Sequence, residues 1–346
     1  MAGRSTVYNS ITSPEKLENC NKFNIELGNE FIDYLKSVDR AETTIKQYMS
    51  DLNIFWVWNY EFNNDKKFIE ITKREFSKFQ NHCLNEWGWS PKRVRRVKSV
   101  ISSLSNFIEN ILDEEQEFQG YRSVIKKIES PANQVVREKS VFSVEEIEEL
   151  LQHLINGEQY LKAAVLALMA YSGRRKSEIP RFKVSFFDEK NILFGSLYKS
   201  DELVKTKGRG KGKFINVYVL KKPFDPYLKL WMEERTKLGI NSNWLFPKKE
   251  NGVWIDEPMS TDTIDLWTSE FSEFLGKPWY AHSMRHMFCT FLVKNNIPTN
   301  VIQDIINWES ADMVTLYSDI SADENIGKYF DENGIKNVEQ KSFSDI

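Results

Sequence analysis

Residues 281–290, AHSMRHMFCT, set His282 and His286 one helical turn apart with Arg285 between them. This i, i+4 spacing is the one zinc proteases use, but there a glutamate follows the first histidine and acts as general base. Here the residue is Ser283, and the fixed charge of Arg285 opposes a nearby dication. No other stretch supplies a matching cluster of ligands. A metal site, a buried core helix and a phosphate site all start from this pattern, and its partners elsewhere in the chain must decide. AYSGRRKSEIPRF offers Arg174, Arg175 and Glu178, and INWESADMVTLYSD offers Trp308 and Tyr317. Taken singly, each has a plain structural reading: Tyr317 a half-buried core tyrosine, Trp308 a core indole, Arg175 a charge at a helix end.

These residues need elements to position them. With 346 residues, 41% of them hydrophobic and 13% aromatic, the chain has material for two domains with separate cores. Three widely spaced cysteines, Cys20, Cys83 and Cys289, suggest reduced thiols rather than a disulfide framework. The start of the chain lacks the apolar run of a signal peptide, and AAVLALMAY at 163–171 is too short to span a bilayer. A soluble, cytoplasmic protein without membrane contact is expected.

The net charge of −3 does not advertise nucleic-acid binding, but local charge decides phosphate contacts. PKRVRRVK at 91–98 carries Lys92, Arg93, Arg95, Arg96 and Lys98 with no acid. VKTKGRGKGK at 204–213 carries Lys205, Lys207, Arg209, Lys211 and Lys213, again with none. A basic run is often only a solvated helix face. Two acid-free runs in a slightly acidic chain make that reading less comfortable.

The pattern predicts a mainly α protein with one small antiparallel β-sheet. Residues 1–23 read as a flexible N-terminus, and 24–128 as a helical domain. Ile25, Phe31, Ile32 and Leu35 share one stripe. Ile45, Tyr48, Met49, Leu52, Phe55 and Trp56 share the next, with Thr43 as cap. TKREFSKFQNHCLNEW is a third helix, and a fourth begins at Ser90 with Pro91 in its first turn. That last helix turns Val94, Val97, Ile101, Leu104 and Ile108 inward and its basic residues outward. The aromatic FWVWNYEF reads as core rather than a base-stacking surface.

ESPANQVVREKSV, 129–141, reads as a linker. A second domain over 142–320 opens with Ser143 and Glu146 in a capping box. A buried helix then ends near Gly173. KNILFGSLY and KFINVYVL form a hairpin around the basic loop. Helices are expected over 261–275, 282–295, 298–307 and 310–318, followed by a tail, 321–346.

With these elements in place, the second domain resembles the catalytic domain of tyrosine recombinases, the Cre, Xer and lambda-integrase family. SGRRKSE is similar to the first signature, with Arg175 as the catalytic arginine. His282, Arg285 and His286 are similar to the H-x-x-R-H signature. Trp308 and Tyr317, nine positions apart, are similar to the third, in which a His or Trp precedes the nucleophile. Arg174 stands where the family usually carries an apolar residue, and IINW replaces the usual Leu-Gly context. The helical domain resembles the family's SAM-like core-binding domain.

The resemblance implies DNA breaking and rejoining. Arg175 and Arg285 would clamp the non-bridging oxygens, because guanidinium forks fit them and stay charged. Trp308, which can only donate, would bind the phosphate. His282 would assist Tyr317, which attacks to form a 3′-phosphotyrosyl intermediate. A hairpin lysine, Lys207 ahead of Lys205 and Lys211, would protonate the departing 5′ oxygen. Glu178 and His286 support the site. No metal and no cofactor are implied. The partners implied are double-stranded DNA with paired half-sites, held in a C-shaped clamp, and further copies of the chain as a dimer or tetramer on DNA. The tail would be the exchange element, anchored by Tyr329 and Phe330. The short stretch before residue 24 leads us to expect no additional arm-binding domain. A recombinase-fold regulator that binds DNA without cutting, and a topoisomerase-like nicking enzyme, fit the same residues.

Overall fold

The computed structural model describes residues 11–132, 140–206, 212–308 and 310–317, with backbone pairing at 330–331 and 334–335. Residues 11–132 belong to one compact unit, and 140–206 with 213–317 to a second.

The first unit is helical: α1 (Pro14–Glu18), α2 (Lys22–Ser37), α3 (Glu42–Phe62), α4 (Lys73–Asn85) and α5 (Pro91–Ile111). The start of α5 follows from its first residues. The Ser90 hydroxyl accepts from the Arg93 N–H, and Pro91 fills a position whose missing N–H costs nothing. Helix α4 opens on a capping box between Thr72 and Glu75. The expected cap at Thr43 is not made. Helix α3 begins after Ala41 with no side-chain cap, so Thr43 falls inside the first turn. Looseness up to residue 23 is also corrected from residue 11 onward: Ile11 and Cys20 are buried, and α1 carries its own Ser13 cap.

Phe55, Trp56 and Trp58 are buried as core. Phe55 stacks on Phe76 at 5.3 Å and meets Phe79 edge-on at 4.9 Å, arrangements that suit the ring quadrupoles. Around them close Phe31, Ile32 and Leu35 from α2 and Val94, Val97, Ile101, Leu104 and Ile108 from α5.

In the second unit, α6 (Val144–Asn156) starts on the Ser143–Glu146 capping box. Helix α7 (Tyr160–Ser172) is buried continuously from Ala163 to Ser172, as befits a helix apolar on all sides. Helices α6, α8 (Lys221–Lys237) and α11 (Ala281–Lys294) pack around it. The expected helix over 261–275 is divided at Trp267 into α9 (Thr261–Leu266) and α10 (Thr268–Phe274). Helices α12 (Thr299–Ile306) and α13 (Asp312–Tyr317) follow.

The strands differ from the expected two-strand hairpin. KNILFGSLY folds back on itself as β1 (Ile192–Leu193) and β2 (Leu197–Lys199), because Phe194 and Gly195 both adopt positive φ, the geometry of a tight twisted hairpin turn. Strand β2 pairs with β5 (Tyr218–Leu220). The arms that carry the basic loop are β3 (Val204–Thr206) and β4 (Lys213–Ile215), paired antiparallel. Further along, β6 (Pro247–Glu250) pairs with β7 (Val253–Pro258), and in the tail β8 (Phe330–Asp331) pairs with β9 (Gly334–Ile335). The result is mainly α with small antiparallel sheets. Among the described residues, no helix is long and apolar enough to cross a membrane.

Candidate active site

The site is organised around the end of α7. Gly173 ends the helix in the left-handed region, φ +59°, and its N–H returns to the Met169 carbonyl. Glycine is needed here twice over. A side chain would be strained at that φ, and a Cβ would lie 2.4 Å from the ring of Phe288. The sharp exit turns Arg174 and Arg175 in different directions. Arg174 is 0% exposed, whereas the Arg175 side chain keeps 30% of its surface.

Arg175 is held by Glu178, whose carboxylate is 0% exposed. One carboxylate oxygen accepts the Arg175 backbone N–H at 3.1 Å, and the other accepts Arg175 Nη1 at 3.1 Å. The same Nη1 lies 3.2 Å from Thr206 Oγ1, which donates its own proton to Glu178. Burial alone would raise the Glu178 carboxyl, but Arg174, the Thr206 hydroxyl and Arg175 outweigh it and hold the acid below its ordinary range. The anchored Arg175 guanidinium is therefore pre-oriented by a charged partner that cannot leave.

Arg285 reaches the same point from α11. It is 1% exposed; Nη1 donates to the Gly173 carbonyl at 2.8 Å and Nη2 to the Ile306 carbonyl at 3.3 Å. Its guanidinium carbon lies 4.9 Å from the centre of the Trp308 ring, a cation–π contact. Trp308 is nearly buried and follows Asn307, which is left-handed at φ +59°, so that the Trp308 N–H returns to the Gln303 carbonyl at 3.0 Å. His282 is exposed one turn before the half-buried His286 on α11, with ring centres 5.4 Å apart. Tyr317 closes α13, which packs against α11 and α12; the tyrosine side chain lies outside the described residues. Among the described residues, no group of three or more His, Cys, Asp or Glu is placed to hold a metal ion.

Of the residues singled out from the sequence, Arg175, Glu178, Arg285 and Trp308 thus converge on the Gly173 turn. On the hairpin, Lys205 is exposed on β3 and Lys213 on β4, while Lys207, Arg209 and Lys211 lie outside the described residues. Two participants were missed: Thr206, 28 positions beyond Glu178, and the Gly173 carbonyl. A threonine directly before a loop lysine was the one local signal for the first. Backbone acceptors leave no signal at all.

The basic residues of α5 are less uniformly outward than expected. Lys92, Arg95 and Arg96 are exposed, but the Arg93 guanidinium lies 3.7 Å from the Trp89 ring centre and Lys98 turns back to Ser130 at 3.0 Å. Arg96 makes a two-pronged pair with buried Asp51, at 3.1 and 2.9 Å. Burial raises the Asp51 carboxyl, and the pull of Arg96 does not fully offset it. Arg95 keeps one bond, to the Pro131 carbonyl at 2.9 Å.

Comparison with known proteins gives the family and the fold. The Phage integrase family profile matches residues 140–324, and the phage integrase N-terminal SAM-like domain matches residues 27–117. The chain is 28% identical over 264 residues to the SPbeta prophage-derived recombinase-like protein YomM of Bacillus subtilis (strain 168), covering 76% of this chain and 77% of that protein. Its fold is similar to XerH site-specific recombinase bound to palindromic difH substrate, with TM-score 0.62 at 16% identity over 83% of this chain and 79% of that one. It is also similar to a lambda integrase dimer bound to a COC′ core site, with TM-score 0.61 at 16% identity over 90% and 80% of the two chains. With both domains matched in order along more than half its length, the chain belongs to the phage integrase family.

Proposed function

We propose that this protein is a site-specific DNA recombinase that cuts and rejoins duplex DNA through a 3′-phosphotyrosyl intermediate. The observation that carries the reading is the convergence of Arg175 and Arg285 on the Gly173 turn, with the Trp308 indole against Arg285. In-line attack on a phosphodiester builds negative charge on the non-bridging oxygens, and two fixed guanidinium groups match it. Arg285 Nη1 and Nη2 each donate to a backbone carbonyl, which fixes the plane of its guanidinium beside the Gly173 turn.

Tyr317 Oη forms the new bond to phosphorus as its proton leaves with the help of His282. The P–O5′ bond breaks, and the departing oxygen takes a proton from the hairpin lysine, Lys207 in our assignment. The tyrosine–phosphate bond keeps the energy of the broken linkage, so rejoining needs no ATP. His286 supports His282 from the next turn of α11. The unit containing α1–α5 is the DNA core-binding domain and the unit from α6 onward the catalytic domain, with 129–141 between them and 321–346 as the exchange tail. Lys92, Arg95 and Arg96 from the first and the basic hairpin from the second contact phosphates, on paired half-sites occupied by several copies. Three buried cysteines, none of them in a disulfide, support a reducing cytoplasm as the place of action.

The test is covalent trapping. A nicked duplex carrying the site that the wild-type chain selects from a randomised pool should accumulate a protein–DNA adduct. Tyr317→Phe should bind the same duplex and form none. Tight binding by the wild type with no adduct would remove the enzyme reading and leave a DNA-binding regulator.

A further inference from the structure

Arg174 is a charged residue that the phosphate chemistry leaves unused. It is fully buried, and burial draws its pKa down to about 10 while Glu178 pulls the other way. An apolar side chain at this place would avoid the desolvation cost altogether. What the guanidinium does there is visible in its bonds. Its Nε donates to the Ser172 carbonyl at 3.3 Å, and its Nη2 donates to the Ile305 carbonyl, 131 positions away.

Ile305 and Ile306 are the last two residues of α12. The final carbonyls of a helix have no partner within it and mark the negative end of its dipole. Here two adjacent ones are taken by two arginines, Ile305 by Arg174 and Ile306 by Arg285. Directly beyond them the chain turns at Asn307 and delivers Trp308 to the face of Arg285. We propose that Arg174 is a positioning residue for Trp308: by pinning the end of α12 from beneath, it fixes where the indole meets the scissile phosphate while touching no phosphate itself. Arg285 alone cannot do this, because its own donors must be shared with the substrate. The inference rests on the reading of Trp308 as a phosphate donor and adds a residue to it.

The experiment uses the full chain labelled with 5-fluorotryptophan and followed by fluorine NMR, with the Trp308 resonance assigned by its loss in Trp308→Phe. In Arg174→Met, which keeps length and burial, the Trp308 resonance should shift and broaden while the resonances of the first unit stay in place. Arg174→Lys, which keeps the charge but has a single donor nitrogen, should lie between. On the nicked duplex described above, Arg174→Met should bind within about twofold of wild type and form adduct at least about tenfold more slowly. In a Trp308→Phe background the same change should cost nothing further, since the two residues act as one unit. An unmoved Trp308 resonance in a folded variant, or rate losses that multiply in the double variant, would overturn the proposal. If Arg174→Met does not fold, the Arg174→Lys resonance decides alone. A wild type that forms no adduct ends the recombinase reading, whereas the NMR comparison judges Arg174 independently of it.

Discussion

The Arg285 guanidinium donates to the carbonyl of Gly173 at 2.8 Å, so one end of the proposed clamp is fastened to the turn from which the other end, Arg175, emerges. The two arginines are 110 positions apart in sequence, from 175 to 285, yet the backbone of one loop sets their separation. In the proposed reaction such a shared anchor would preorganise both donors before the DNA arrives, which is what electrostatic catalysis requires.

Gly173→Ala tests this anchor. The substitution forces a side chain into a left-handed position and drives its Cβ against Phe288 at 2.4 Å. A loss of about 2 kcal/mol is expected from strain and overpacking together. Urea unfolding of the variant measures it. Adduct formation should fall by more than the stability loss explains, because the carbonyl that holds Arg285 moves with the turn. A variant of near wild-type stability would contradict the packing seen here.

Glu178 makes stability depend on pH. Its folded pKa lies below the ordinary value, so it contributes stability that is present above its unfolded pKa and lost as pH falls through the folded one. Glu178→Gln leaves Arg174 buried without its counter-charge and should cost about 3 kcal/mol at neutral pH. The gap between wild type and variant should close in the acid range, where the wild-type carboxyl takes up a proton. Denaturant titrations at several pH values provide the check; a gap that stays constant on acidification would show that the charge is not what matters.

How much of this was legible beforehand depends on distance along the chain. Ser90 with Pro91, Ser143 with Glu146, and Gly173 after an apolar helix are local signals, and each marks the boundary it was read to mark. Thr43 failed as a cap because the helix already starts at Glu42 after Ala41, where no side chain caps it, and apolar spacing does not fix a start to within about two residues. KNILFGSLY read as one strand because Phe194 looks like a strand residue, although it sits at the turn with φ +52°. The motif arginines were visible as residue types. Their grouping with Thr206 and with the carbonyls of Gly173 and Ile306 was not, since that grouping arises only when α7, α11, α12 and β3 meet.

The basic face of α5 should be tested at residues that the fold does not otherwise need. Reversing Arg96 would set a carboxylate against buried Asp51, and reversing Arg93 would remove its stacking on Trp89. Weakened binding in those variants would confuse folding with phosphate recognition. Lys92→Glu with Arg95→Glu largely avoids this, since both side chains are exposed and the change gives up only the exposed bond from Arg95 to the Pro131 carbonyl. The double variant should keep its melting temperature within a few degrees. Its salt dependence of DNA binding should flatten, with the log–log slope falling by about 0.9 for each phosphate that is no longer neutralised. An unchanged slope and affinity would take this end of α5 out of the interface.

Truncation after Ser321 separates DNA recognition from assembly. The segment removed carries six acids, Asp323, Glu324, Asp331, Glu332, Glu339 and Asp345, against three lysines, Lys328, Lys336 and Lys341. A segment of net negative charge is poorly suited to a phosphate backbone and better suited to protein. Within it β8 and β9 pair over two residues each, too little to persist in water without a surface to pack on. Phe330, the first residue of β8, and Tyr329, which precedes it in sequence, should supply the docking surface for a neighbouring copy. The truncated chain should bind a duplex with one half-site at wild-type affinity. On a duplex with two half-sites it should lose the cooperative second step, read as separate rather than joint occupancy in a titrated gel shift. Tyr329→Ala with Phe330→Ala in the full chain should reproduce most of that defect. Normal cooperativity in both proteins would move the protomer interface away from the tail.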